Sequence, residues 1–222
     1  MRNIKIAPGE YYHIYNRGVN KQKIFHDKTD CIRFIFLILY FQSPVTFPQI
    51  GRAVKYFVKH SVFDTNAENI PKIIKSRFVE LIMFCLMPNH FHLVLKEVEE
   101  GGIARYMQRV LNSYSKYYNA KYQKSGHLFQ GPYCAVHIKD DRQLMYLSAY
   151  IHKNSRELSE WKNREDLYPW SSYQDYIEEN RWGDLLMSSI VIDRFKDKKE
   201  YLQFVQSSGA KEYENELEFG FI

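Results

Sequence analysis

The chain has 222 residues, 45% hydrophobic and 26% charged, which fits one sizeable folded domain or a domain with an appendage. The longest apolar run, Cys31 to Phe41, carries Arg33 and falls well short of the roughly 20 residues a bilayer span needs, and "MRNIKIAPGE" lacks the apolar core of a signal peptide. Thirty-one Lys and Arg against 26 Asp and Glu leave a net charge of +5, a mild bias toward polyanionic partners, and aromatics reach 16%. The three cysteines are far apart with no CxxC pair, so free thiols in a reducing cytosol are expected rather than a zinc site or disulfides, and a cytoplasmic protein with no membrane partner follows.

"EYYHIYNRG" (Glu10 to Gly18) reads as a first strand closed by a turn. "DKTDCIRFIFLILYFQ" opens on residues suited to a helix N-terminus and then runs apolar, as a helix packed on a sheet does. Residues 43–76, punctuated by Pro44, Pro48 and Pro71, read as a basic excursion with one short helix at "QIGRAVKYFVKH". "RFVELIMFCLM" and "HFHLVLKEV" are two strands joined by a tight Pro88-Asn89 turn. A helix follows over "GGIARYMQRVLNSYSKYYNAKYQ", then extended structure at "GHLFQGPYCAVHI", then a helix from Asp141 to Leu158. "YPWSSYQDY" is turn-rich and aromatic, and "DKKEYLQFVQSS" is a short terminal helix. The order strand, helix, strand, strand, helix, strand predicts an α+β fold. It is a ferredoxin-like, split βαβ antiparallel sheet with helices on one face, plus an insertion and a C-terminal extension. The expected division is a core over 1–160, interrupted at about 43–76, and an extension over 161–222 packed on it.

Within this frame "CLMPNHFHLVL" places imidazoles at alternate positions of a strand, so His90 and His92 share a face while Phe91, Leu93 and Leu95 take the other. Two neutral imidazoles side by side suit one divalent cation, and two satisfied histidines on a half-open sheet would look the same. The helix beginning at Asp141 is the candidate cover. On it Tyr150 and Asn154 stand four residues apart, Asn154 able to offer an amide oxygen to that cation and Tyr150 a hydroxyl to whatever the cation polarises, though each also reads as ordinary packing or helix-end chemistry. His152 points away from that face and reads as a surface residue. Arg105, Arg109, Lys116 and Lys121 alternate with tyrosines on the long helix, and Arg17, Lys21 and Lys23 follow the first strand. Cations interleaved with aromatics suit phosphate contacts and base stacking, and equally a solvated helix face with packed tyrosines.

Taken in order, "MPNHFHLVL", "YIHKN", "YHIYNRGVNKQKIF", "YSKYYNAKYQKSGHLFQ" and "PWSSYQDY" resemble the single-tyrosine HUH transposases, most nearly the REP-associated branch. The likeness touches most of the chain outside 43–76. The chain departs from the pattern at "NSRELS" after the tyrosine helix and at "GPYCA" after "LFQ". The resemblance implies metal binding by His90, His92 and Asn154, with Mg²⁺ or Mn²⁺ suited to such ligands and zinc compatible on ligand type. It implies Tyr150 as the nucleophile, forming a 5′-phosphotyrosine on single-stranded DNA near hairpins. Monomers and homodimers both fit. Two other classes compete: a metal-dependent hydrolase using water, and a non-catalytic nucleic-acid-binding module on a ferredoxin-like sheet.

Overall fold

The computed structural model describes residues 4–64 and 67–209. Four strands form one antiparallel sheet: β1 (Tyr11–Arg17), β2 (Val79–Met87), β3 (His90–Glu97) and β4 (Cys134–Ile138), in the order β2-β3-β1-β4. Helix α1 (Lys28–Tyr40) crosses from β1 to β2 and α4 (Gly102–Tyr122) from β3 to β4, so the split βαβ arrangement expected from the sequence is present.

Both crossover helices lie on the face that receives Tyr12, Ile14, Phe91, Leu93 and Leu95. Strand β2 serves both faces through a register irregularity between Leu81 and Met83, so that Phe84 and Leu86 return to the side of Leu81. Helix α1 starts where the Asp27 side chain accepts from Asp30 N–H, and it is buried almost all round. A helix apolar on every side needs cover beyond the sheet. The segment 43–76 supplies it, with α2 (Ile50–His60) lying along α1 and α3 (Asn69–Lys75) beyond. Helix α4 begins under a tight restraint. Glu97 is buried and accepts from Gly102 N–H at 3.0 Å and Ile103 N–H at 2.6 Å, while a Cβ on Gly102 would sit 2.2 Å from the Phe78 carbonyl oxygen.

The opposite face is covered by α5 (Asp141–His152), whose start is capped by the Asp140 carboxylate accepting from Gln143 N–H at 2.7 Å. The helix stops at His152, and Asn154–Glu157 continue as a 3₁₀ turn, so the regular helix is shorter than the expected reach to Leu158. The later chain adds α6 (Tyr173–Ile177), α7 (Ser189–Ile192) and α8 (Lys198–Ser207) to this layer. The aromatic "YPWSSYQDY" segment closes the free edge of β2. Leu86 N–H donates to the Trp170 carbonyl and Ser172 N–H to that of Phe84, while Tyr168 Oη and Tyr176 Oη donate to the Leu86 and Ile82 carbonyls. His152 is fully buried here, against expectation. Its ring nitrogens meet Tyr201 Oη at 2.6 Å and Ser172 Oγ at 2.9 Å, because helices from the end of the chain cover the side of α5 that its own spacing leaves outward.

Candidate active site

The face beneath α5 is laid out by the pairing of β1 with β3. Tyr15 stands opposite His92, Arg17 opposite His90 and His13 opposite Val94, so a row of polar side chains runs along two adjacent strands. His90 and His92 have ring centroids 5.1 Å apart at 87°. Tyr150, from α5, sets its ring edge-on to His92 with centroids 5.8 Å apart. The structure thus brings together three of the four residues singled out for chemistry. Asn154 opens the 3₁₀ turn just beyond that helix, 1% exposed, its amide oxygen accepting no hydrogen bond from any described residue.

The side of each imidazole away from its Nε2 is engaged. His90 Nδ1 lies 2.7 Å from Asn89 Oδ1, and the oxygen can only accept, so Nδ1 carries the proton and Nε2 the lone pair. His92 Nδ1 lies 2.9 Å from Nε2 of His13, and the two rings stack at 15°. His13 is fully buried, and burial holds its imidazole down to about 3, so it is neutral at physiological pH. A neutral His13 that accepts from His92 Nδ1 leaves Nε2 of His92 as a lone-pair donor too. Histidines that ligate metals commonly donate their other N–H in this way. His13 was missed in the sequence, where one imidazole in "YYHIY" has no partner at a telling spacing; its alternation with Tyr11 and Tyr15 places it on this face, but only the β1–β3 register places it beside His92.

Among the described residues no three His, Cys, Asp or Glu side chains group as a cation cage. Two adjacent imidazoles with their Nδ1 atoms engaged, and a buried amide oxygen just past α5, are donor types that suit a divalent ion. Burial, with Cys134 alongside, pushes the Tyr15 phenol up to about 12, which keeps that neighbouring hydroxyl protonated. Tyr150 is only 2% exposed and His92 is buried completely.

The cations proposed for DNA separate into two groups. Lys121 bonds both Asp27 and Asp30 at 2.7 Å, Arg105 pairs with Glu99 and stacks on Phe78, and Arg109 donates to the Ser43 and Val45 carbonyls over the Phe41 ring. The tyrosines between them are likewise internal: Tyr106 and Tyr114 donate to the Ile38 and Ile24 carbonyls, and Tyr117 and Tyr122 to Asp30. This part of α4 is an interface with α1 rather than a stacking platform. Lys21, Lys23 and Lys116 are exposed, and Arg17 donates from Nε to Gln130 Oε1 at 2.7 Å at the His90 end of the sheet.

A four-stranded antiparallel α+β sheet, with paired histidines on one strand and a tyrosine helix across them, is the architecture that results. Over residues 52–154, just under half of the chain, the sequence matches the family model described as "Transposase IS200 like". The matched stretch runs from α2 through both histidines and Tyr150 to Asn154. A solved structure of "the REP associates tyrosine transposase bound to a REP hairpin" aligns over 80% of this chain and 84% of that one, with 12% identity and a TM-score of 0.46. No curated protein matches the chain. No helix among the described residues is long and apolar enough to cross a membrane.

Proposed function

We propose that the chain is a metal-dependent transposase that nicks and rejoins single-stranded DNA through a 5′-phosphotyrosine at Tyr150, at hairpin or repeat sequences of the REP type. The observation that carries the reading is the meeting of His90, His92 and Tyr150 on one sheet face, inside the segment that matches a transposase family model. His90, His92 and Asn154 would hold Mg²⁺ or Mn²⁺, which when bound supplies Lewis acidity to the scissile phosphate. Tyr150 Oη attacks phosphorus as the phenol gives up its proton; the P–Oη bond forms, the bond to the 3′ oxygen breaks, and that oxygen takes up a proton to leave as a hydroxyl. One phosphate ester replaces another, so a 3′-hydroxyl can reverse the step and join strands with no nucleoside triphosphate. His13 fixes the tautomer and orientation of His92. Arg17, level with His90 on the neighbouring strand, holds positive charge at the end of the site where the strand enters, and Lys21, Lys23 and Lys116 are the further phosphate contacts.

The burial of Tyr150 favours a second reading, in which the phenol is structural and a water attacks. One experiment separates the two: a labelled single-stranded hairpin with Mn²⁺ or with chelator, resolved on a denaturing gel for wild type, Tyr150→Phe and His90→Ala. The transposase reading expects a slow, protease-sensitive DNA–protein band in wild type with Mn²⁺ only. Cleavage without an adduct, surviving Tyr150→Phe, would establish the hydrolase. Binding without cleavage in Mg²⁺ or Mn²⁺ would leave a nucleic-acid-binding module.

A further inference from the structure

Residues 43–76 hold five Lys or Arg against two Asp or Glu, a surplus of three within a chain whose total is +5. The surplus is concentrated on α2, which has no acidic residue. Arg52, Lys55, Tyr56, Lys59 and His60 recur at helical spacing and all are exposed, while Ile50 and Val54 on the reverse are buried. The stripe is firmly mounted: Phe57 packs edge-on to Phe36 with centroids 5.5 Å apart and against Trp182 at 5.7 Å. Covering α1 requires only the apolar side of this helix, so its outward composition is unexplained by folding. A solvated helix face would carry both signs of charge.

The stripe also has a defined position relative to His90. Lys28 Nζ, at the start of α1, donates to the Val58 carbonyl at 3.4 Å, which ties the C-terminal end of α2 to the start of α1. Just upstream, Ile24 and Phe25 donate their N–H groups to the Pro88 carbonyl in the turn that leads into His90. Lys59 and His60 therefore stand at the same end of the sheet as the paired imidazoles, on the layer outside α1 and across the sheet from the histidine face.

We infer that the exposed face of α2 binds the phosphate backbone of a nucleic-acid duplex, the paired stem of a hairpin whose unpaired flank reaches His90. The inference rests on the proposed function and adds to it the surface that holds the paired part. Arg52 to Lys59 spans about 10 Å of rigid helix, a straight row of cations suited to a regular backbone. Tyr56, 56% exposed with its ring against His60 at 4.6 Å, is the one aromatic in the row, too few for a platform that stacks successive unpaired bases.

The test is fluorescence anisotropy of a labelled hairpin, and of an unpaired oligonucleotide of equal length, over a range of salt. It compares wild type, the triple variant Arg52→Ala, Lys55→Ala, Lys59→Ala, and a control, Lys139→Ala, Lys162→Ala, Lys199→Ala, that removes the same charge from exposed positions elsewhere. Each phosphate contact contributes about 0.9 to the slope of log affinity against log salt, so the α2 variant should lose about 2 to 3 from the hairpin slope and bind on the order of tenfold or more weakly at about 0.1 M salt. The control should keep the wild-type slope, and the unpaired oligonucleotide should be affected less than the hairpin. An unchanged slope in the α2 variant, an equal loss in the control, or an equal loss for the unpaired strand overturns the inference while leaving the nuclease intact. A wild type that binds no hairpin and forms no adduct overturns both.

Discussion

Replacing His13 by Phe keeps the volume and aromatic stacking at that position and deletes the Nε2 that lies 2.9 Å from His92 Nδ1, the acceptor for that nitrogen's proton when His92 presents its Nε2 lone pair to a cation. Both rings are fully buried, so water does not substitute for the lost partner. A buried donor left unsatisfied costs about 1–3 kcal/mol, and the imidazole can escape part of that cost by moving its proton to Nε2. That tautomer no longer offers a lone pair to a cation. Loss of such a supporting partner typically weakens metal affinity by about 10–100-fold. The expected result is therefore weaker Mn²⁺ binding in His13→Phe, measured by calorimetry near neutral pH without DNA, with a shift of the His92 ring nitrogens in ¹⁵N spectra toward the other tautomer. His13→Gln, whose amide oxygen can still accept, should recover part of the affinity. If His92→Ala abolishes Mn²⁺ binding and His13→Phe leaves it at wild-type strength with the tautomer unchanged, the reasoning about His13 fails. If neither substitution matters, the ligand assignment itself is wrong.

Four further expectations concern the scaffold. Burial alone would raise the Asp30 carboxyl, but bonds from Lys121, Tyr122, the His26 N–H and Tyr117 hold it below the ordinary carboxylate range. Its contribution to stability is therefore present above about pH 4, the unfolded value, and lost as pH falls through the lower folded value, an acid-side loss that urea melts should show and that Asp30→Asn should abolish. At neutral pH the same substitution leaves two tyrosine donors and Lys121 short of a charged acceptor and should cost about 2–4 kcal/mol by chemical denaturation; an unchanged stability would show the cluster to be dispensable. Gly102→Ala drives a methyl into the Phe78 carbonyl, and backbone cannot yield as a side-chain tip can; a thermal melt equal to that of wild type would contradict the close approach. His152→Ala removes one of the partners of Tyr201 Oη, leaving Ser148, and opens a cavity among three helices, so it should destabilise by about 2–4 kcal/mol while His152→Gln loses less.

Local pattern was enough for the strands, for α1, α4 and α5, and for the topology, because alternation on β3 and the apolar run of α1 are statements about nearest neighbours. The His90–His92 pair and Tyr150 were legible for the same reason: i, i+2 and helical spacing survive folding unchanged. What could not be read depends on partners far along the chain. The α4 tyrosines and Lys121 resemble a nucleic-acid surface until Asp30, about 90 residues earlier, is seen to gather them. His152 passes for a surface residue until Tyr201 arrives from α8. His13 gains a role only through strand register. The segment 43–76 has too many prolines to show its two helices plainly, yet the apolar excess of α1 already demanded that something lie over it.

The near-complete burial of Tyr150 has a consequence for timing. On the function proposed above, a phosphodiester cannot touch a phenol that is packed away, so a conformer able to react would be a minority of the free protein. If that conformer were one molecule in a hundred, the apparent affinity for the scissile linkage would be a hundredfold poorer than the intrinsic one. Contacts remote from the reacting atoms would then make up the difference, and only a strand carrying the features they grip would draw out the phenol. A stray single strand of DNA would meet a chemically silent surface. Latency of this kind would suit the proposed reaction, which on the wrong strand breaks a genome.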